Sequence, residues 1–329
     1  MKIGIVIGSF LPLHNGSLTV CKIAQTLSKK LIIIIINTPN DPIPINLREK
    51  WLKEESPKAI VIATNQQNDL SYEGQLNNII HDFSKKLNSD DFHLFSSNPC
   101  SSPLAKKLKI KCSILDPNRL SQNIKSKDIL ADPYSNWFDM PISVRSSLIR
   151  RVVLIGPESV GKSTLAKQLR KSIIRYPFLP EYGRPYEIFR EPGYYQNHEF
   201  EDIISVHAAH RKALLPFSGP IFVEDTDELA TAVWVEMLMG KRLPSVEKKI
   251  NLPYMYLLLD PSVPFISEET RYFNSEKRLE FFNKIKAKLD YFQASYTTIK
   301  GPWSTRNQAS KQIIKKLLSE KTNWSEIGN

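Results

Sequence analysis

Glycine is scarce in this chain, 12 in 329 residues, so each glycine that falls in a loop carries information about backbone conformation. Cysteine is scarcer still. Cys21, Cys100 and Cys112 make no CxxC pair, and three thiols cannot all pair within one chain. The reading is a reduced, cytoplasmic protein without a disulfide framework. The six histidines do not gather near the cysteines, which argues against a zinc site. Long apolar runs are missing too. The stretch LIIIIIN at 31–37 is far shorter than the roughly 20 residues that a membrane-spanning helix needs, and it reads as a strand buried on both faces. The chain enters KIGIVIG directly, without the layered zones of a signal peptide. It is expected to be complete and cytosolic, with no membrane partner.

No block of like charge stands out either. The net charge of +11 suits a protein that handles anions such as nucleotides or nucleic acid. Yet Lys106, Lys107, Lys109 and Lys111 are interspersed with apolar residues. They read as a solvated face, and no specific nucleic-acid partner is expected. Self-association is left open.

What is present is alternation of strands and helices. KIGIVIG, LIIIIIN, KAIVIAT, DFHLFSS and KCSILD read as strands, and residues 16–30, 47–55 and 74–87 as helices between them. Residues 121–141 are polar and turn-rich, and SVRSSLIR at 143–150 reads as a connecting helix. A second series follows: RVVLIG, PIFVEDTD, YMYLLLD and YTTIKG as strands, with helices over 163–174 and 306–320. The fold class expected is α/β, two doubly wound parallel-sheet domains, over residues 1–145 and 146–329.

The second domain opens with IGPESVGKST, which fills G-x-x-x-x-G-K-[ST] with Gly156, Gly161, Lys162 and Ser163, a strand before it and a helix after it. Such a loop turns backbone N–H groups onto phosphate oxygens, with the helix N-terminus adding partial positive charge. Glu158, Ser159 and Thr164 belong to the same cradle. Lys162 is expected at the terminal phosphates of ATP, and Ser163 as a ligand of Mg²⁺. FVEDTD places Glu224, Asp225 and Asp227 at a strand end. There Asp225 reads as the second metal-organising and catalytic carboxylate and Asp227 as a substrate contact, or these acids are caps and turn formers. LPEYGRP supplies Tyr182 and Arg184 as substrate residues and Glu181 as the base for an attacking hydroxyl, or Glu181 and Arg184 form a surface ion pair. ETRYFNSEKR holds Arg271 and Arg278, of which Arg271 is the expected catalytic arginine. Trp303 or Arg306 is the candidate to cover the adenine ring, or Trp303 packs in the core.

RRVVLIGPESVGKSTLAKQL, PEYGRPY, EDTDELATAVWVEMLMG, YLLLDPSVPF and TIKG, in this order, resemble the kinase half of the NadR family. These are nicotinamide-nucleotide adenylyltransferases joined to ribosylnicotinamide kinases. The resemblance implies a P-loop kinase that moves the γ-phosphate of ATP to the 5′-hydroxyl of nicotinamide riboside, giving NMN. Ser267, Glu268 and Glu269 depart from the family pattern of an aspartate pair and a glycine before the arginine.

The first domain carries GSFLPLHNGS at 8–17, which is similar to the G-x-F-x-P-x-H-x-G-H signature of the nucleotidyltransferase half. Gly8, Phe10, Pro12, His14 and Gly16 match, and the resemblance implies nucleotide binding by Gly8, Phe10, His14 and Gly16. The last histidine is Ser17, which can donate a hydrogen bond but cannot carry positive charge. The ISxTxxR signature is replaced by IKSKDIL, with Leu130 where the arginine stands. Lys125 and Lys127 restore charge only in part. Arg48 and Trp51 sit where the family has an arginine–tryptophan helix, to hold nucleotide or to pack. The expectation is a working kinase with an adenylyltransferase domain of reduced or lost activity, and with no DNA-binding module before the first strand. Retention of both activities, a kinase for another nucleoside, and a regulatory nucleotide-binding protein stay open.

Overall fold

Five isoleucines in a row, Ile32–Ile36, can form a strand in water only if both faces are covered. In the computed structural model, which describes residues 2–64, 71–188, 194–263 and 275–327, Leu31–Ile35 are at most 1% exposed. They lie in β2 (Lys30–Ile35), paired in parallel with β1 (Ile3–Gly8) and β3 (Ile60–Ala63). With β4 (Phe92–Ser96) and β5 (Lys111–Ile114) the sheet runs β3-β2-β1-β4-β5. Its helices are α1 (Asn15–Leu27), α2 (Ile45–Glu55), α3 (Tyr72–Leu87), α4 (Ser101–Lys107), α5 (Ser126–Ala131) and α6 (Ile142–Leu148). Strand order reverses at β1, and such a switch point opens a crevice at the carboxyl ends of the strands. The loop after β1 leads there.

The second sheet, β7-β6-β8-β9, is built from β6 (Arg150–Ile155), β7 (Ile221–Asp225), β8 (Met255–Leu259) and β9 (Tyr296–Ile299), all parallel. Val152 and Leu154 of β6 pack into one apolar layer, Val153 and Ile155 into the other. This is the two-residue period of a strand covered on both sides. The helices are α7 (Lys162–Leu169), α8 (Gly183–Glu187), α9 (Asn197–Leu214), α10 (Glu228–Met239), α11 (Pro244–Glu247), α12 (Ser275–Tyr291) and α13 (Trp303–Ser319).

The chain divides into two compact units, Met1–Leu148 with Lys321–Asn329, and Ile149–Glu320. The sequence places the division at 145/146 and leaves the C-terminal residues with the second domain. The structure puts it after Leu148 and returns the last nine residues to the first unit, where Trp324 is buried and its indole N–H donates to the Leu130 carbonyl at 3.0 Å. Other boundaries shift for local reasons. The connecting helix stops at Leu148 because Arg150 already pairs in β6. The helix expected over 163–174 is α7 followed by a π turn, Arg170–Ile174, ended by Arg175 at φ 60°. The turn-rich stretch 121–141 contains α5 and buries Ile129 and Trp137. No helix among the described residues is long and apolar enough to cross a membrane.

Candidate functional site

The loop after β6 takes its shape from three residues with positive φ: Gly156 at 148°, Ser159 at 59° and Gly161 at 83°. A Cβ on Gly156 would stand 2.7 Å from the Leu259 carbonyl oxygen, and one on Gly161 only 2.0 Å from the Trp303 ring. Glycine is therefore required at both positions by contact as well as by backbone angle. Gly161 is the N-cap of α7, so the loop delivers the positive end of a helix to its own mouth. The Lys162 ammonium crosses that mouth and donates to the carbonyls of Gly156 and Pro157, both at 2.9 Å. Thr164 is exposed. The Ser159 hydroxyl is buried without a hydrogen-bond partner among the described residues.

Parallel pairing of β6 with β7 sets Asp225 beside this loop. The Ser163 hydroxyl donates to Asp225 Oδ2, while Asp225 Oδ1 is buried with no partner among the described residues. Burial, reinforced by the nearby Glu181 carboxylate, pushes the Asp225 carboxyl up to about 6 against the opposing pull of Lys162 and the Ser163 hydrogen bond. A hydroxyl and a carboxylate with a free, desolvated oxygen form a hard donor set of the kind Mg²⁺ takes.

A cleft opens next to Lys162, lined by Glu158, Glu181, Tyr182, Arg184, Glu187, Asp227 and, on its apolar wall, Phe200, Ile203, Ile204 and Trp234. The structure thus brings together Lys162, Glu181, Tyr182, Arg184 and Asp227, which lie far apart in sequence. Glu181 and Arg184 face each other at 3.7 Å, with Arg184 largely exposed. Asp227 is occupied: Oδ1 caps α10 by accepting from the Leu229 and Ala230 amides, and Oδ2 accepts from the Tyr256 hydroxyl at 2.6 Å. Burial holds its carboxyl up at about 7. Glu224 faces away from the loop and is clasped by Arg151 and Arg211, with Arg211 also 2.8 Å from Glu228.

The arginines expected around the phosphates divide. Arg271 lies outside the described residues. Arg278 on α12 is buried and donates to the Glu158 carbonyl at 3.0 Å, tying that helix to the phosphate loop. Arg306 is 1% exposed and donates to the carbonyls of Gly301, Val160 and Asp260. That arrangement braces the loop from behind. Trp303 is the part of this segment that touches the loop face, through Gly161.

Helix α9 is the element of the cleft that is least marked in the sequence. Its inward positions Phe200, Ile203, Ile204, His207 and Arg211 fall at helical spacing, and Glu199 accepts from the Gln196 amide at 2.6 Å just before its first turn. Those two features were the available signals.

In the first unit, Gly8, Phe10, His14 and Ser17 line the crevice after β1, and Gly16 lines an adjoining one with Arg119. His14 and Ser17 close on each other. His14 Nδ1 accepts from the Ser17 amide at 3.3 Å, and the Ser17 hydroxyl oxygen accepts from the His14 amide at 3.2 Å. This reciprocal cap satisfies the N-terminus of α1. Burial, with Arg119 nearby, holds the His14 imidazole down at about 4, so it is neutral near pH 7. Lys125 and Lys127 are exposed. Arg48 is fully buried and donates to Ser9 O, Ile36 O, Asn37 Oδ1 and Asp41 Oδ2, at 2.7 to 3.1 Å. Trp51 is likewise buried, its indole N–H donating to the Ser147 hydroxyl at 3.0 Å. Both residues pack this unit.

The chain forms two parallel α/β units, the second with a phosphate loop of the P-loop type feeding a helix, and a family model described as an AAA domain matches residues 151–306. The chain is 23% identical over 347 residues to the trifunctional NAD biosynthesis/regulator protein NadR of Salmonella typhimurium (strain LT2), covering 97% of this chain and 84% of that protein. The same shares and identity hold over 348 residues for NadR of Escherichia coli (strain K12). A crystal structure of NadR in complex with NR matches with a TM-score of 0.74 at 20% identity, over 97% of each chain. A second, with NAD and AMP-PNP, matches at 0.72 and 18%, over 98% of this chain and 97% of that one. The chain is homologous to NadR.

Proposed function

We propose that residues 149–320 phosphorylate nicotinamide riboside from ATP. The observation that carries this reading is the placement of Lys162 and the Ser163–Asp225 pair at the edge of one cleft that also holds Glu181, Tyr182 and Arg184 against an aromatic wall. The homologous structures with NR and with AMP-PNP, an ATP analogue, support both ligands. Ser163 and Asp225 Oδ1 would hold Mg²⁺, which supplies charge neutralisation at the β- and γ-phosphates when bound. Lys162 leaves its loop carbonyls and pairs with the γ-phosphate oxygens. Asp225 is engaged with Ser163 and desolvated, so the base is Glu181, which lines the cleft and is partly solvated. The acceptor's 5′-oxygen bonds to the γ-phosphorus, the bond to the β-bridging oxygen breaks, the hydroxyl proton passes to Glu181, and ADP leaves. Trp303, whose ring stands against Gly161, would cover the nucleotide from the loop side.

The first unit is read as an adenylyltransferase-type domain of greatly reduced turnover. Its helix N-terminus is closed by its own His14–Ser17 cap, His14 is neutral, and Leu130 stands in place of an arginine. Losing one oxyanion donor costs on the order of 10²–10³ in turnover, and two are changed here. Incubation with Mg·ATP and either nicotinamide riboside or NMN separates the units. ADP and NMN are expected from the first substrate, with little or no NAD from the second. Rapid NAD formation from NMN that His14→Ala abolishes would refute the reading of the first unit. ADP release with another nucleoside but not with nicotinamide riboside would refute that of the second.

A further inference from the structure

Among the described residues, the cleft's apolar wall carries a polar group with no hydrogen-bond partner. His207 on α9 is 4% exposed and lines the cleft, and its Nε2 is buried without a hydrogen-bond partner. Its other nitrogen settles the tautomer. Arg211, one helical turn on, brings a guanidinium N–H to His207 Nδ1 at 3.4 Å, and a guanidinium only donates. Nδ1 is therefore the acceptor and Nε2 carries the proton. Arg211 is itself fixed, since Glu224 and Glu228 both hold it at 2.8 Å. Burial, with Arg211, Arg151 and His210 outweighing the pull of Glu224, keeps the imidazole neutral by lowering it to about 4.

A buried N–H without a partner, set among Phe200, Ile203, Ile204 and Trp234, is unfavourable until a ligand oxygen reaches it. The wall around it suits a flat ring, and the acids Glu158, Glu181 and Glu187 in the same cleft favour a cationic ring and oppose a carboxylate substituent. We infer that His207 is the specificity-determining residue of the acceptor site, its Nε2–H donating to the carboxamide oxygen of a pyridinium carboxamide riboside. The inference rests on the kinase reading of this cleft and names the part of the acceptor that is recognised. It also predicts discrimination, because a site with a buried donor rejects ligands that leave the donor unpaired.

The test compares wild type, His207→Phe and His207→Gln, the last keeping an N–H donor near the Nε2 position. Each is titrated calorimetrically, in the presence of Mg·AMP-PNP, with nicotinamide riboside and with the same riboside lacking the carboxamide. Phosphoryl transfer from ATP to both is measured in parallel. Wild type is expected to prefer nicotinamide riboside by roughly tenfold or more. His207→Phe removes that preference, raising KM for nicotinamide riboside by a similar factor with kcat within about threefold, and His207→Gln restores most of it. The ratio of two ligands on one variant does not depend on how much of that variant is folded. An unchanged preference in His207→Phe, or equal weakening of both ligands, overturns the inference. Binding with the predicted preference but no transfer to either nucleoside overturns the kinase reading and leaves His207 supported. Absence of nicotinamide riboside binding by wild type overturns both.

Discussion

Lys162→Ala lowers kcat/KM for ATP by about 10²–10⁴-fold while the melting temperature stays near that of wild type. The effect is large because the loop concentrates one full positive charge where charge shifts in transfer, and main-chain amides cannot replace it. The fold tolerates the change because the ammonium's two present partners, the carbonyls of Gly156 and Pro157, belong to a loop already braced by Arg306 and Arg278. Steady-state kinetics with a thermal melt of the same preparation check both halves. Activity within tenfold of wild type would show that the loop does not carry the reaction.

Asp225→Asn separates function from stability. Turnover falls by at least about 10³-fold, because the desolvated Oδ1 that would hold Mg²⁺ becomes a neutral amide atom. Stability without nucleotide moves the other way. The carboxyl, held at about 6 in the folded protein against an ordinary 3.8, binds its proton more tightly folded than unfolded. Its contribution to stability is therefore fully present below about pH 4 and is lost as pH rises through 6, so at pH 7.5 the ionised group opposes folding. Asparagine has no such charge and keeps an oxygen for the Ser163 hydroxyl. The variant should melt roughly 2–5 °C above wild type at pH 7.5, with the gap closing by pH 4. Mg·ATP should raise the melting temperature of wild type far more than that of the variant. A variant less stable than wild type at pH 7.5 would contradict the electrostatic account of this residue.

How far these sites were legible in the sequence depended on how local their physics is. The loop from Gly156 to Ser163 is short-range: spacing, two obligatory glycines and flanking strand and helix suffice. The parallel strands were legible because burial on both faces leaves apolar runs such as Leu31–Ile35. Helix α9 was not, because its inward face mixes Phe200, Ile203 and Ile204 with Glu199, His207 and Arg211, and polar residues at core positions weaken the apolar periodicity that marks an amphipathic helix. Nor could sequence say that Arg48 and Arg306 are interior. Their guanidiniums are paid for by carbonyls gathered from segments distant in the chain, such as Ser9 and Ile36 for Arg48 or Val160 and Asp260 for Arg306. Asp227 carried the same ambiguity between cap and ligand, and only the register of α10 against Tyr256 displays its hydrogen bonds.

In the proposed reaction Lys162, the Ser163–Asp225 pair that would hold Mg²⁺ and a Glu181 base act on a nucleoside held in the adjoining cleft. The most direct measurement follows labelled γ-phosphate of ATP in the presence of the wild-type protein, Mg²⁺ and nicotinamide riboside. The account predicts that label appears on the 5′-oxygen as NMN, one for each ADP released, and that transfer collapses in Lys162→Ala. ADP release at the same rate with and without the nucleoside, with no labelled NMN, would contradict it.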